Sequence, residues 1–230
     1  METDALAGRL ARVRERIERA RERAGRTDAV TLVAVTKTHP PELVQAAIAA
    51  GVADVGENRV QELAEKVDAV GRAAVRWHLI GHLQRNKVGR ALPLFDLLHS
   101  LDSVRLAEAL SAEAVKTGTT VRALVEVNSV GEESKEGFPA ADAIDAVGRI
   151  AELPGIELRG MMTMAPFTDD QAVVRRAFRT TRELCEEAAR QVAGFRGHEL
   201  SMGMSNDFEI AVEEGATLVR VGSSIFGERG

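Results

Sequence analysis

The sequence predicts a single closed (β/α)8 barrel, and three observations carry that expectation. Short apolar stretches alternate with amphipathic helical patterns along almost the whole chain. Eight such stretches are present: TLVAVT from 31, VADVG from 52, VRWHLI from 75, LFDLLHS from 94, VRALVEVN from 121, IELRGMMTM from 156, HELSM from 198 and TLVRVG from 217. No Pro/Gly/Ser-rich linker or low-complexity run interrupts them, so one domain is expected over residues 1–230. Strands separated by helices pair in parallel, and eight such units close on themselves. The roughly 200 residues after the first helix leave about 25 per unit, a compact version of this fold.

The first 27 residues are expected to form a helix packed on the barrel. Leu6, Leu10, Val13 and Ile17 recur at helical spacing, and residues 9–26 hold eight Arg against three Glu, so an apolar stripe faces the body and the charges face water. Thr31 to Thr36 are nearly continuous in apolar character and rich in β-branched residues, as a strand buried on both faces should be. That run ends on Lys37, ahead of a turn marked by Pro40 and Pro41. Helical patterns follow in PELVQAAIAAG, SVRLAEALSAEAVKTG and AADAIDAVGRIAEL. The last strand runs into Gly222, Ser223 and Ser224 and then a short helix.

Composition narrows the function classes. With 230 residues and 45% hydrophobic content the chain can bury a substantial core. A formal charge of −5 argues against a general nucleic-acid binder, and the basic face of the first helix lacks interleaved aromatics. The single Cys185 allows neither an internal disulfide nor a cysteine-rich metal site, which suits a reducing compartment. Charged residues stand where an apolar signal core would lie, and no apolar run approaches membrane-spanning length. A cytoplasmic protein without membrane contact is expected.

In such barrels chemistry gathers at the C-terminal ends of the strands. Lys37, Asn58, His78, Asn128, Ser201, Arg220 and Ser223 stand at those ends. Lys37 taken alone reads first as a solvated strand cap, and its rival is an amine that burial keeps partly deprotonated, a nucleophile for carbonyl chemistry. The loops after the last two strands offer Ser201, Gly203 and Ser205, then Gly222, Ser223 and Ser224. Small residues and hydroxyls there can cradle a phosphate, or Ser205, Asn206 and Ser223 can simply cap helices. Arg220, inside an apolar strand, needs either an internal carboxylate or a ligand. Asn58 can cap the following helix or reach a ligand, and His78 can be a core histidine or a functional one. Neither His78 nor His82 has an evident set of metal partners, so no zinc site is expected. Met161, Met162 and Met164 read as barrel packing. Lys135 follows the fifth strand and either flanks the barrel mouth or is solvated.

Taken in order, AVTKTHP, GENRVQE, WHLIGHLQRNK, SKEGF, LRGMMTM, LSMGMSNDFEIAV and VRVGSSIFG resemble the pyridoxal phosphate homeostasis proteins, from about Thr31 to Gly227. Arg59 departs from the aromatic residue common there. The resemblance implies a barrel like the alanine racemase N-terminal domain. It implies that Lys37 holds pyridoxal 5′-phosphate as a Schiff base, that Ser201, Gly222 and Ser223 hold the phosphate, and that Arg220 faces the pyridine nitrogen. Asn58, His78 and Met202 would lie around the cofactor, and Lys135 would assist its entry or exit. The implied protein is a monomer that stores, buffers or delivers the cofactor, with apo-enzymes as recipients. Two enzymes compete with that reading. An alanine racemase adds a second domain and a tyrosine base, whereas this chain has no tyrosine. A Schiff-base aldolase would take a sugar phosphate and carry no coloured cofactor.

Overall fold

A computed structural model describes residues 2–131 and 136–227. Nine strands occur among them: β1 (Thr31–Val35), β2 (Asp54–Glu57), β3 (Arg76–Leu79), β4 (Leu97–Leu101), β5 (Val121–Asn128), β6 (Phe138–Pro139), β7 (Ile156–Met162), β8 (Glu199–Ser201) and β9 (Leu218–Val221). Eight of them pair in parallel, in the order β4-β3-β2-β1-β9-β8-β7-β5, and contact between β4 and β5 closes the ring. β6 is a two-residue addition beside the end of β5, with Val127 opposite Phe138, and the sequence pattern does not announce it. All eight expected strands are present. Their ends shift where turn chemistry intervenes: Leu94 belongs to a 3-10 turn with Pro93 in its first positions, so β4 starts only at Leu97.

Each barrel strand leads to a helix: α2 (Pro41–Ala49), α3 (Val60–Val70), α4 (Val88–Ala91), α5 (Val104–Thr117), α6 (Ala143–Ala151), α7 (Gln171–Gln191), α8 (Phe208–Glu213) and α9 (Ser223–Phe226). Local signals set several of these ends. Pro41 opens α2, Ser103 caps α5 through Leu106 N–H, Asp170 caps α7, and Gly118 ends α5 in the left-handed region at φ 66°.

Apolar side chains separate into two clusters. The large one lies between strands and helices; the small one joins Val33, Leu97, Leu124, Met162 and Leu218 from five different strands and fills the barrel axis. The axis also holds polar groups: Asp54, His78, His99, Glu126, Ser201 and Arg220 are all buried. That mixture is costly unless every group is bonded, which makes the axis the place to look for function.

α1 (Glu2–Arg23) lays Leu6, Leu10, Val13, Ile17 and Ala20 on the main core, as its spacing predicts. Its arginines reach the C-terminal helices. Arg16 pairs with Glu209 at 2.6 Å and stacks over Phe208, and Arg23 pairs with Glu213 at 2.8 Å. Arg9 donates to the Ile225 carbonyl, and Arg26, just beyond α1, to those of Val212 and Ala216. The helix therefore closes the barrel fold rather than decorating it. Leu10→Ala should lower stability by about 2–5 kcal/mol, read as a lower urea midpoint at unchanged slope. A midpoint equal to wild type would mean that α1 is dispensable to the core.

Candidate functional site

Period-two alternation explains which side chains converge at the C-terminal mouth. Val33 lies in the barrel axis, so Val35 and then Lys37 point the same way, and both line a cavity of about 410 Å³. The same phase carries β9 from Leu218 to Arg220 and Gly222, and the chain of β7 from Met162 to Met164. Asn58, Ser205, Met204, Ser223 and Glu126 complete the relevant wall.

The turn that carries Lys37 is clamped. The Thr36 carbonyl accepts from Lys66 Nζ at 2.7 Å, Thr36 Oγ1 donates to Glu57, and Lys66 pairs with Glu57 at 2.6 Å, all buried. Burial pushes the Glu57 carboxyl up, against the pull of Lys66 and Thr36. Thr38 sits at φ 68°, a conformation a β-branched residue rarely accepts, and its N–H donates to Glu62 at 2.7 Å. Asn58 does not cap α3, whose N-cap position is Arg59 without a side-chain bond. Its backbone is pressed by Gly81, where an added Cβ would stand 2.4 Å from the Asn58 carbonyl.

The two loops after β8 and β9 meet through Ser205, one of the two serines the sequence offers there, and not through Ser201, which the resemblance implies. Ser205 Oγ accepts from the N–H groups of Gly222 and Ser224 at 3.3 and 3.4 Å. Ser223 caps no helix with its side chain, whereas the Ser205 hydroxyl takes up the Ser224 N–H in the first turn of α9. Ser201 lies deeper, fully buried, with its hydroxyl between Arg220 and His99. Met202 is in the outer core, and Met204 lines the cavity in its stead.

Arg220 is 4% exposed, and the internal carboxylate that the sequence offers as its partner is not what holds it. Among the described residues no carboxylate forms an ion pair with it. Its donors go to Ser201 O at 2.8 Å, Ser201 Oγ at 2.6 Å and Thr163 O at 3.0 Å. Burial lowers its pKa to about 10, with Glu126 and Asp207 pulling the other way, so it stays charged at neutral pH. Glu126 is pushed up to about 7 by burial and by the negative charges of Asp102 and Glu136.

His78 is not in this cavity. It lines a separate cavity at the opposite mouth together with Asp54, to which its Nε2 bonds at 3.0 Å. The reason is barrel stagger. Val35, Gly56 and His78 are at matching register on β1, β2 and β3, yet Val35 lines the Lys37 cavity and His78 the other end, because each successive strand is displaced along the axis. His82 does find partners: Asp102 at 2.7 Å and Glu136 at 3.2 Å, a grouping with the spacing of metal ligands that the sequence pattern hides. Asn128 serves its own loop by accepting from Gly131 N–H. Arg59 is exposed and lies beside Glu62. Lys135 falls outside the described residues. Cys185 is buried and its thiol is pushed up to about 12, so it is inert.

The pyridoxal phosphate homeostasis protein of Aquifex aeolicus is 43% identical over 222 residues, covering 96% of this chain and 97% of that protein. The chain belongs to the pyridoxal phosphate homeostasis protein family. The broader alanine racemase N-terminal domain family matches residues 9–230. PipY of Synechococcus elongatus, solved with PLP bound, superposes with a TM-score of 0.85 at 36% identity, over 96% of this chain and 100% of PipY. Alanine racemase from Corynebacterium glutamicum shares the fold, at a TM-score of 0.74 and 18% identity. The match covers 99% of this chain but 61% of the racemase.

Glu126 gives the site of this family member a pH signature. Its native pKa of about 7 exceeds the ordinary 4.5, so the unfolded chain ionises first. The stability held in the neutral carboxyl is full below the ordinary value and is lost as pH rises through about 7. The loss amounts to about 3 kcal/mol. Glu126→Gln should flatten that decline in a pH series of urea midpoints; an equally steep decline in the variant would assign the titration to another group.

Proposed function

We propose that this chain binds pyridoxal 5′-phosphate at the Lys37 cavity and serves its homeostasis by storing, buffering or delivering it, with Lys37 as the covalent holder. The convergence of an amine, a buried guanidinium and the small-residue turn of Ser205, Gly222 and Ser223 on one cavity carries the reading. The donor set fits the group. Gly222 and Ser224 share one hydroxyl at long distance, and a phosphate oxygen offers them shorter, charge-assisted bonds. Gly222 lets this turn lie close against β1, where a Cβ would stand 3.2 Å from the Val35 carbonyl. The relatives' names and the PLP-bound PipY support the same assignment.

When bound, the cofactor supplies an aldehyde carbon that a lysine amine takes as a Schiff base. Lys37, held by the clamped turn, presents that amine from the β1 side. Ser205, Gly222, Ser223 and Ser224 bind the phosphate, a role that moves from Ser201 to Ser205. Arg220 would donate toward the ring nitrogen and disfavour its protonation, since a fixed cation opposes a second one beside it. Asn58, Met164 and Met204 wall the ring.

A carrier rather than a racemase follows from the same residues. Racemisation needs a base on each face of the bound substrate, and an unprotonated ring is a weak electron sink. Lys37 serves one face. The chain has no tyrosine for the other, and His78, the candidate substitute, belongs to the far mouth.

Purified protein titrated with the cofactor should develop a visible band, absent in Lys37→Ala, and borohydride trapping with peptide mapping should mark Lys37. Pyridoxal lacking the phosphate should bind far more weakly, since each charge-assisted bond contributes roughly 1.5–3 kcal/mol. An adduct confined to another lysine, or equal affinity for both forms, would overturn the site. Incubation of the loaded protein with L-alanine, followed by chiral chromatography, should yield no sustained D-isomer formation. Turnover that depends on Lys37 would make the protein a one-domain racemase.

A further inference from the structure

Below Arg220 a file of polar side chains runs through the barrel axis to the opposite mouth. Arg220 Nη1 lies 2.6 Å from Ser201 Oγ, which is 2.8 Å from His99 Nδ1. His99 Nε2 lies 2.8 Å from His78 Nδ1, and His78 Nε2 is 3.0 Å from Asp54 Oδ1. Asp54 is gripped from below by both arms of Arg76, at 2.6 and 2.7 Å. The two imidazoles meet edge to face at 74°, and every member from Ser201 to Asp54 is buried.

The proton positions in this file follow from its ends. A guanidinium can only donate and a carboxylate can only accept, so the groups between them have one orientation that satisfies all of them. Arg220 donates to Ser201, whose hydroxyl donates to His99 Nδ1. His99 is then the Nε2–H tautomer and donates to His78, which is also the Nε2–H tautomer and donates to Asp54. The reverse orientation would aim His99 Nδ1–H at an oxygen already receiving Arg220 and leave the Ser201 proton without an acceptor in the dry axis. Charge agrees with this assignment. Burial, above all, holds His99 well below the usual imidazole range, as a neutral ring at the centre of the file requires. Burial opposes the charge on Asp54, yet the bonds from His78 and Arg76 keep its carboxyl below the usual range.

We propose that Ser201, His99, His78 and Asp54 form one directional hydrogen-bond file that holds Arg220 as a fixed donor to the cofactor cavity, with His99 as its central positioning residue. The file has two consequences. Ser201 Oγ is locked as an acceptor for Arg220, so the guanidinium cannot swing, and the N–H groups on Nε and Nη2 not spent on Ser201 or Thr163 remain for the cavity. An event at Asp54 is also felt at Arg220, although the two line cavities at opposite mouths. The alternative is a polar plug that merely fills the axis. The link to the cofactor rests on the reading that Arg220 faces the ring nitrogen; the file itself does not.

The two parts separate by experiment. Long-range nitrogen–proton NMR on the cofactor-free wild type should find His99 and His78 both as neutral Nε2–H tautomers. An Nδ1–H tautomer or an imidazolium at either ring would overturn the file. In loaded protein, His99→Leu should weaken cofactor binding by on the order of 10-fold and move the visible band, because Ser201 loses its acceptor and releases Arg220. His99→Gln should restore both, since its Oε1 can accept from Ser201 while its Nε2–H donates to His78. A plug ranks these variants the other way, leucine being the better filler, and a wild-type spectrum in His99→Leu would refute the positioning role. Ser201→Ala should weaken pyridoxal and its phosphate equally; a selective loss for the phosphate form would return Ser201 to the phosphate cradle and overturn its place in the file. A wild type without any visible band would refute the cofactor reading and leave the tautomer result to judge the file.

Discussion

A buried guanidinium sets the terms for the rest of this barrel. Arg220 has almost no contact with water and no carboxylate in contact among the described residues, so its charge rests on the neighbouring strands. The carbonyls it uses, Ser201 and Thr163, stand at the C-terminal ends of β8 and β7, where a parallel ladder leaves acceptors over. Thr163 N–H also donates to the Ser201 carbonyl, which ties the same two strand ends together. One side chain from β9 thus knits three strands at the mouth. Glu126, across the axis on β5, compensates this charge only as it ionises, and burial raises its carboxyl to about 7. The cavity above inherits a fixed cation that the fold cannot readily neutralise.

Much of this was legible in the sequence, and the part that was not has a single physical cause. Alternation within a strand tells which face a residue takes, and Lys37, Arg220 and Gly222, which the sequence offers as residues at strand ends, share the face that lines one cavity. Alternation does not tell height along the barrel, which closure and stagger decide. His78 and Ser201 therefore took the right face at the wrong level. Ser205 and Met204, a few residues further along the loop, take the places expected of Ser201 and Met202. His99 is concealed for a related reason: LFDLLHS reads as an apolar strand, and its partners come from β3 and β8. Asp54 opens β2 and looks like an ordinary polar strand start until Arg76 and His78 arrive from the next strand. The grouping of His82, Asp102 and Glu136 likewise joins three separate loops.

The likeness to alanine racemase is one of fold, and the differences lie where chemistry would be decided. The racemase extends well beyond the part this chain matches, whereas the family relatives are matched almost end to end. A fold hosts many functions, so the barrel by itself argues for none. What separates the two outcomes is the inventory at the mouth: one lysine among the described residues, a cation facing the cavity, and no tyrosine anywhere in the chain. Those residues suit holding a phosphorylated aldehyde better than moving protons on a substrate bound to it.

The footing of Lys37 carries that argument a step further. Its turn is fixed on three sides: Lys66 holds the Thr36 carbonyl, Glu62 holds the Thr38 N–H, and the Thr36 N–H stays in the ladder through the Gly56 carbonyl. Glu57 beneath it is completely buried, and its Oε2 has no hydrogen-bond partner, an expense a stable fold avoids unless position matters. Thr38 adds a backbone conformation that only such a clamp can hold. Lys66 reaches this turn from α3 and gives its ammonium to Glu57 and the Thr36 carbonyl, so the two lysines that meet here are chemically distinct: one is committed inward as a structural ion, the other is half-buried at the cavity wall. A rigid backbone under a reaching side chain keeps the amine at one place without enclosing it. That combination favours a bond that forms at a defined point and can be released again, as a carrier of a reactive aldehyde requires.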